Sequence, residues 1–197
     1  MKKGTLIAVI SCAVLLGAGA FGQQVDATLG FGTVTATSAS QAGSGYSPQS
    51  IGGGLTPSAG ADFLLAHNFG FGAEFSWRGS KANYTLAGLQ YRPFFYDFNG
   101  VWVPRVNKYI SPELMAGIGA ENVRYYVGAG CSGCQNYVSS SHFLGHFGGG
   151  IRLYPTKSNF FVRPEAHVYL VHNNTQFSSP YATRYGVSIG YTFGGHH

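Results

Sequence analysis

The sequence predicts an all-β fold, an eight-stranded antiparallel up-and-down transmembrane β-barrel, from three observations. In 184–193 large apolar residues alternate with Arg, Gly, Ser, Gly and Thr, and successive side chains of a strand point to opposite faces. Charged residues make up only 10% of the chain, against 15 Phe, 13 Tyr and 30 Gly, which suits aromatic girdles facing lipid around a tight interior. Beyond residue 20 no apolar stretch approaches the roughly 18 residues of a membrane helix, so the chain would have to span with strands.

The first 20 residues have the parts of a secretory signal peptide. Two lysines are followed by an apolar run over 6–16, and the small residues 18–20 form a cleavage site. The alternative is a lipoprotein signal with the lipid on Cys12, which the continuation of the apolar run to residue 16 disfavours. We therefore expect a signal peptide over 1–20 and one outer-membrane barrel domain over 21–197.

Eight segments of alternating polarity, separated by turn signals, are each near the roughly 9 to 11 residues that cross a bilayer at a tilt. These predicted strands are 24–35, 51–65, 69–78, 84–96, 109–125, 142–154, 159–172 and 184–193. The connections after the first, fifth and seventh strands are long, and two of the three after even strands are short. Outer loops of such barrels are long and periplasmic turns are short, so we expect both termini to be periplasmic.

Strand parity, the rule that every second side chain of a strand points to the same face, places most ionisable side chains in the lumen. The predicted interior charges are Asp26, Asp62, Glu74, Arg78, Arg92, Glu113, Glu121, Arg152, Arg163, Glu165 and Arg184. In the fourth strand this parity points Leu89 and Tyr91 to lipid. An eight-stranded barrel is only just wide enough for side chains to fill it, so these groups should form a hydrogen-bonded plug rather than line a pore. An arginine on the lipid face near the midplane would cost about 2 to 4 kcal/mol.

Two histidines are predicted to meet inside the barrel. A four-residue turn at 155–158 would place His146 directly across from His167, with Glu165 diagonally near. We interpret them as a hydrogen-bonded interior pair, and a metal-binding cluster is the alternative. His142 and His146 cannot share an ion, because four residues of a strand span about 13 Å. No metal and no cofactor is therefore expected.

Cys131 and Cys134 lie in the predicted outer loop 127–141. A redox pair of this spacing normally begins a helix, and a zinc site would need two more thiol or imidazole ligands close by. We predict a disulfide that pinches the loop tip, with reduced thiols or a metal clip as alternatives. The ring that it closes is small, so its effect on stability should be local.

Ser141 beside His142 raises the question of catalysis, because some small barrels modify lipids and need a grouped serine, histidine and acid. No known pattern supports this interpretation here. We therefore predict that the protein is not an enzyme and has no catalytic residues.

The closing strand carries the clearest family resemblance. Its apolar face consists of Tyr185, Val187, Ile189, Tyr191 and Phe193. With the strand pattern and the signal peptide, it resembles the small OmpA-like and OmpX-like eight-stranded outer-membrane barrels of Gram-negative bacteria. That resemblance implies recognition of this strand by the barrel-assembly machinery, with Phe193 as the terminal aromatic, although the tail 194–197 follows it. His196 and His197 are either native or a remnant of a purification tag.

The expected function is a structural or adhesin-like role in the outer membrane of the cell. The expected partners are outer-membrane lipids and a surface ligand at the long loops 36–50 and 127–141, and we expect a monomer. Without the two lysines near the N-terminus, ten basic residues face seven acidic ones, an excess too small to indicate nucleic acid. The alternatives are a narrow porin-like solute channel, a lipid-modifying enzyme and a periplasmic lipocalin-like binder.

Overall fold

The computed structural model describes residues 24–36, 51–65, 68–84, 89–126, 136–155, 158–172 and 179–194. The signal segment, Cys131, Cys134 and most of the loop 36–50 lie outside these ranges. The strands within them are β1 Gln24–Thr35, β2 Leu55–Leu64, β3 Phe69–Trp77, β4 Ala82–Tyr84, β5 Leu89–Trp102, β6 Ile110–Tyr126, β7 Tyr137–Leu153, β8 Phe160–Val171 and β9 Tyr181–Phe193.

The strands close into an eight-stranded antiparallel barrel, which confirms the predicted fold class. The sheet order is β3-β2-β1-β9-β8-β7-β6-β5-β4, and β3 also pairs with β5 and closes the ring. The three-residue β4 pairs with the start of β5 and extends the barrel wall beyond the end of β3. The register around the barrel is staggered by ten residues. The direct partner of Asp26 on β9 is Thr192, but following strand partners from Asp26 the other way round the barrel leads to Ala182 on the same strand. This stagger tilts the strands in the usual range of about 35 to 45°.

The fourth barrel strand differs from the prediction. The Asn99-Gly100 turn signal lies inside β5, which continues to Trp102 instead of ending at Tyr96. Asn99 pairs with Gly72 of β3 and with Gly117 of β6, so a ladder runs along both sides of this segment. The two ladders outweigh the local preference of Asn-Gly for a turn.

The parity of β5 was also predicted wrongly. Tyr91 is 2% exposed and points into the lumen, whereas Arg92 points outward. The prediction took an apolar side chain as lipid-facing, but the lumen around Tyr91 is itself apolar. Polarity therefore does not mark the two faces of the sheet at this end of the barrel.

A belt of exposed apolar side chains surrounds the barrel. Its members include Leu29, Phe31, Phe71, Phe98, Leu114, Ile118, Phe143, Phe147, Tyr185 and Ile189, which are 55 to 70% exposed. Soluble monomers rarely expose apolar patches larger than a few hundred Å², so this belt is a lipid-facing surface. Within the described ranges no helix is long and apolar enough to cross a membrane.

The lumen needs small residues where large ones cross it. Gly190 of β9 faces inward, and a Cβ atom there would lie 2.1 Å from Cζ of Phe161. Phe161 is 0% exposed and packs against Tyr154, with ring centroids 5.6 Å apart. Gly190 thus makes room for an aromatic ring of β8.

Candidate functional site

The site is a charge network inside the barrel. All seven acidic residues of the chain lie in the lumen and are at most 8% exposed: Asp26, Asp62, Glu74, Asp97, Glu113, Glu121 and Glu165. Arg152, Arg163 and Arg184 lie among them and are at most 2% exposed. Asp97 was absent from the predicted set, because the sequence assigned it to a connection. A predicted strand that continued past residue 96 with the correct parity would have included it.

Arg152 of β7 joins three carboxylates from three other strands. Its guanidinium donates to Asp26 of β1 and to Glu113 of β6, and its Nη2 lies 3.0 Å from Oδ2 of Asp62 on β2. The guanidinium carbon also lies 4.7 Å from the ring centroid of Phe161. A guanidinium has five N–H donors in a fixed fork, so one side chain can connect strands across the lumen.

Arg163 and Arg184 continue the network along the lumen. Arg163 donates to Glu113 and lies 2.7 Å from Glu165, and Arg184 lies 2.7 Å from Glu165 and 2.5 Å from Glu74. Ser188 of β9 donates to Glu165 over 2.9 Å. Adjacent arginines share carboxylates, so Asp26, Asp62, Glu74, Glu113 and Glu165 each lie within 4.0 Å of at least one guanidinium.

His146 and His167 extend this network toward Asp97. Arg184 Nη2 lies 2.9 Å from His167 Nε2, and His167 Nδ1 lies 2.9 Å from His146 Nε2. His146 Nδ1 is 3.1 Å from Asp97 and 2.7 Å from Oδ1 of Asn99. A guanidinium can only donate, so His167 Nε2 must accept and both histidines carry their proton on Nδ1. One directed chain of hydrogen bonds therefore runs from Arg184 through the two histidines to Asn99, whose amide donates to Asp97.

The register of the two histidines differs from the prediction. His146 pairs with Tyr169, and His167 pairs with Gly148, so the histidines are diagonal neighbours rather than directly opposed. A Cβ atom at Gly148 would lie 2.6 Å from His167 Nδ1, so glycine lets the two rings meet. β7 ends at Leu153 and β8 begins at Phe160, so six residues separate the two strands instead of the predicted four, and the pairing is shifted by two.

Glu74, Glu165 and His167 have the spacing of a metal site, since one ligand atom from each lies within 4.8 Å of the others. Arg184 contacts all three residues. Its guanidinium thus already supplies the positive charge that this group of ligands would otherwise attract. The arrangement is that of an ion-paired network.

An apolar plug closes the lumen toward the end with the long connections. It consists of Val34, Ile51, Tyr91, Phe95, Val123, Leu144, Tyr169, Val171 and Ala182, each at most 3% exposed. Phe95 and Tyr169 stack with centroids 4.8 Å apart, and Tyr169 stacks on His146 at 5.0 Å. Toward the other end, Leu64, Val101, Val103 and Met115 form a second buried cluster.

Two predicted interior arginines lie outside the network. Arg78 sits past the end of β3 at the rim and donates to the carbonyl of Gly52. Arg92 lies on the outer face and donates to the carbonyl of Gly79 over 3.0 Å. Glu121 is lumenal and 0% exposed, as predicted from parity, and its strand partners are Phe95 and His142, at the level of the plug.

Ser141 and His142 point to opposite faces of β7 and cannot act together. Ser141 accepts from Asn122 over 2.8 Å on the outer face. Ser140, two residues before His142 and on the same lumenal face, lies 2.9 Å from His142 Nε2. The serine that accompanies this histidine is therefore Ser140, and strand alternation alone is the signal that could have found it.

No family model and no curated protein sequence matches the chain, but solved structures match its fold. Neisserial surface protein A aligns with a TM-score of 0.63 and 10% identity over 86% of this chain and 96% of its own. Ail, the attachment invasion locus protein of Yersinia pestis, solved with the heparin analogue sucrose octasulfate, gives 0.55 and 13% over 87% and 99%. The N-terminal β-barrel domain of OprF from Pseudomonas aeruginosa gives 0.55 and 9% over 86% and 97%. The resemblance to the small OmpA-like and OmpX-like proteins is thus confirmed at the level of fold: the chain is an eight-stranded barrel of the outer-membrane type.

Proposed function

We propose that the protein is an integral outer-membrane barrel that conducts no solute, has no catalytic activity and serves a structural or surface-interaction role. The filled lumen carries this proposal. Phe95 and Tyr169, both 0% exposed, stack across its outer part, and Arg152, Arg163 and Arg184 with their carboxylates fill its middle. A conduit needs a continuous water path, and these side chains occupy the space where that path would run.

Planar bilayer recordings test whether the lumen conducts. The purified protein should give no unitary current steps, with a porin of known conductance in the same membrane as the positive control. Reproducible steps from the parent protein whose size changes in Phe95→Trp would show a path through the lumen and overturn the non-conducting role. Resistance of the membrane fraction to carbonate extraction, with heat-modifiable gel migration, tests the integral location separately.

The surface-interaction role takes support from the names of proteins with this fold, one a surface protein and one an attachment invasion locus protein bound to a heparin analogue. Bacteria that display the full chain should be retained on immobilised heparin more than bacteria without it. Shortening the loops 37–50 and 127–135 should reduce that retention. Equal retention of the displayed chain and the loop-shortened chain would contradict an interaction through these loops and leave the structural role.

A lipid-modifying enzyme is the second candidate. Ser140 lies 2.9 Å from His142 Nε2, and Glu121 is the strand partner of His142, so a hydroxyl, an imidazole and a carboxylate occupy neighbouring lumenal positions. Acyl transfer uses these three kinds of group together. Mass spectrometry of membrane lipids from cells that produce the parent, Ser140→Ala or the control Ser141→Ala tests this candidate. Our proposal expects identical lipid profiles. A product made by the parent and by Ser141→Ala, but not by Ser140→Ala, would establish the enzyme.

A further inference from the structure

The barrel separates its charges by sign. All seven acidic side chains of the chain are buried in the lumen. In the described ranges, the charged side chains on the outer face and rims are all basic: Arg78, Lys81, Arg92, Arg105, Lys108 and Arg124. No acidic side chain of this protein is therefore available to neutralise these cations from outside the barrel.

Three of these cations gather on one side of the barrel. Arg92 of β5 and Arg124 of β6 are direct strand partners on the outward face, and Lys81 precedes β4, which pairs with the start of β5. Like charges directly opposite on neighbouring strands destabilise a sheet. An anion bound between the two guanidinium groups would reverse that effect.

Aromatic rings hold two of these cations, Arg124 and Lys81, and Arg92 donates to the carbonyl of Gly79. The Arg124 guanidinium carbon lies 4.5 Å from the ring centroid of Phe94 and 5.1 Å from that of Tyr137. Lys81 Nζ lies 3.9 Å from the centroid of Tyr126, which neighbours Tyr137 at 6.4 Å. Cation–π contact uses the ring face and leaves N–H donors of the cation available for another ligand.

The patch lies where the apolar belt ends. Outward residues of β6 are apolar or small from Ile110 to Ala120, and Asn122 and Arg124 follow. This boundary between apolar and polar side chains, with Tyr126 beside it, is the position of an aromatic girdle and of lipid headgroups. A ligand of the patch is thus reached directly from the bilayer.

We propose that Lys81, Arg92 and Arg124 form a binding site for the phosphorylated headgroup of a membrane lipid, at the end of the barrel that carries the long connections. Guanidinium groups bind phosphate oxygens in bidentate geometry, and lysine adds a compact charge. The lipid's acyl chains would lie along the belt below. This inference goes beyond the proposed function and holds whether or not the lumen conducts.

The test measures binding of fluorophore-labelled phosphatidylglycerol, and of phosphatidylcholine with the same label, to the full-length barrel in detergent micelles. The parent should bind phosphatidylglycerol more tightly, and added NaCl should weaken that preference. The double variant Arg92→Gln and Arg124→Gln should bind it about 20- to 30-fold more weakly, since each basic group near a membrane surface contributes about a fivefold factor. The matched control, Arg105→Gln and Lys108→Gln, removes the same charge at the opposite rim and should change binding by less than about twofold.

Heat-modifiable gel migration shows that each variant is folded, and Lys81→Gln, an exposed side chain, provides a second variant with an expected loss of about fivefold. Equal affinity of the parent for the two lipids would overturn the proposal. A double variant that binds like the parent, or a control that loses as much as the double variant, would do the same. Loss of binding to soluble heparin in the double variant, without any preference between the lipids, would reassign the patch to a soluble polyanion.

Discussion

The middle of the lumen and the plug above it are built on the same strands but follow different rules. In the middle, arginines and carboxylates point inward and, Phe161 apart, the large apolar residues beside them point outward, so the polarity of a residue mostly identifies its face. In the plug, Tyr91, Phe95 and Leu144 point inward, while Arg92 and Arg124 lie on the outer face. Alternation in the sequence shows that a strand has two different faces. Whether its apolar face points to lipid or into the lumen depends on what fills the lumen at that level.

The largest effect should come from breaking the charged half of this comparison. Arg152→Met should lower the free energy of unfolding by about 3 to 5 kcal/mol, because Asp26, Asp62 and Glu113 lose a shared buried partner. Urea titration in lipid vesicles, followed by the fluorescence of the two tryptophans, measures this loss. Arg105→Met, at the exposed rim, is the control and should change the value by less than about 0.5 kcal/mol. A loss below about 1 kcal/mol for Arg152→Met would mean that the network does not stabilise the barrel.

A charge on the belt should have the next largest effect. Leu114 is 55% exposed on the outward face of β6, near the middle of the belt. Leu114→Arg should cost about 2 to 4 kcal/mol in vesicles, and Asn122→Arg, at the edge of the belt, about 0 to 1 kcal/mol. The same urea titration compares the two variants. Equal costs would contradict the assignment of the belt to the hydrocarbon region.

The smallest effect should come from a substitution that tests the space inside the lumen instead of its charge. Gly190→Val should cost about 1 to 3 kcal/mol, because a Cβ atom at Gly190 would lie 2.1 Å from Phe161. Gly145→Val is the matched control on the outward face, where the nearest described atom to a Cβ is 3.9 Å away. Adding Phe161→Ala to Gly190→Val should make the glycine substitution nearly neutral. Costs at Gly145 that match those at Gly190 would show that the strand backbone, not the ring, disfavours valine.

Alternation predicted most of the barrel from the sequence. Period-two patterning predicts the barrel wall and its closing strand. It also predicts the inward positions of Arg152, Arg163, Arg184 and their carboxylates. These strands have one apolar face and one polar face, and only the apolar face can meet lipid. The outward positions of Leu114 and Ile118 follow in the same way.

What the sequence did not predict depends on partners distant in the chain. β5 continues through Asn99-Gly100 because β3 and β6 pair with it on both sides, and a local turn preference carries no information about those ladders. The parity of Arg92 failed because the plug is apolar, which is known only once Phe95 and Tyr169 are brought together. The diagonal meeting of His146 and His167 depends on a turn two residues longer than its Pro155 signal indicates. The disulfide between Cys131 and Cys134 remains a prediction.

The contacts of Arg152 also bear on how the ring assembles. Its partners Asp26 and Glu113 lie 126 and 39 residues away in the chain, and Asp62 lies 90 residues away. A half-assembled sheet, in which β1 and β2 have not yet joined β9, would leave this guanidinium without two of its three carboxylates. Much of the stabilisation therefore arrives only at the last step of assembly, which makes barrel closure cooperative and partly closed intermediates sparse.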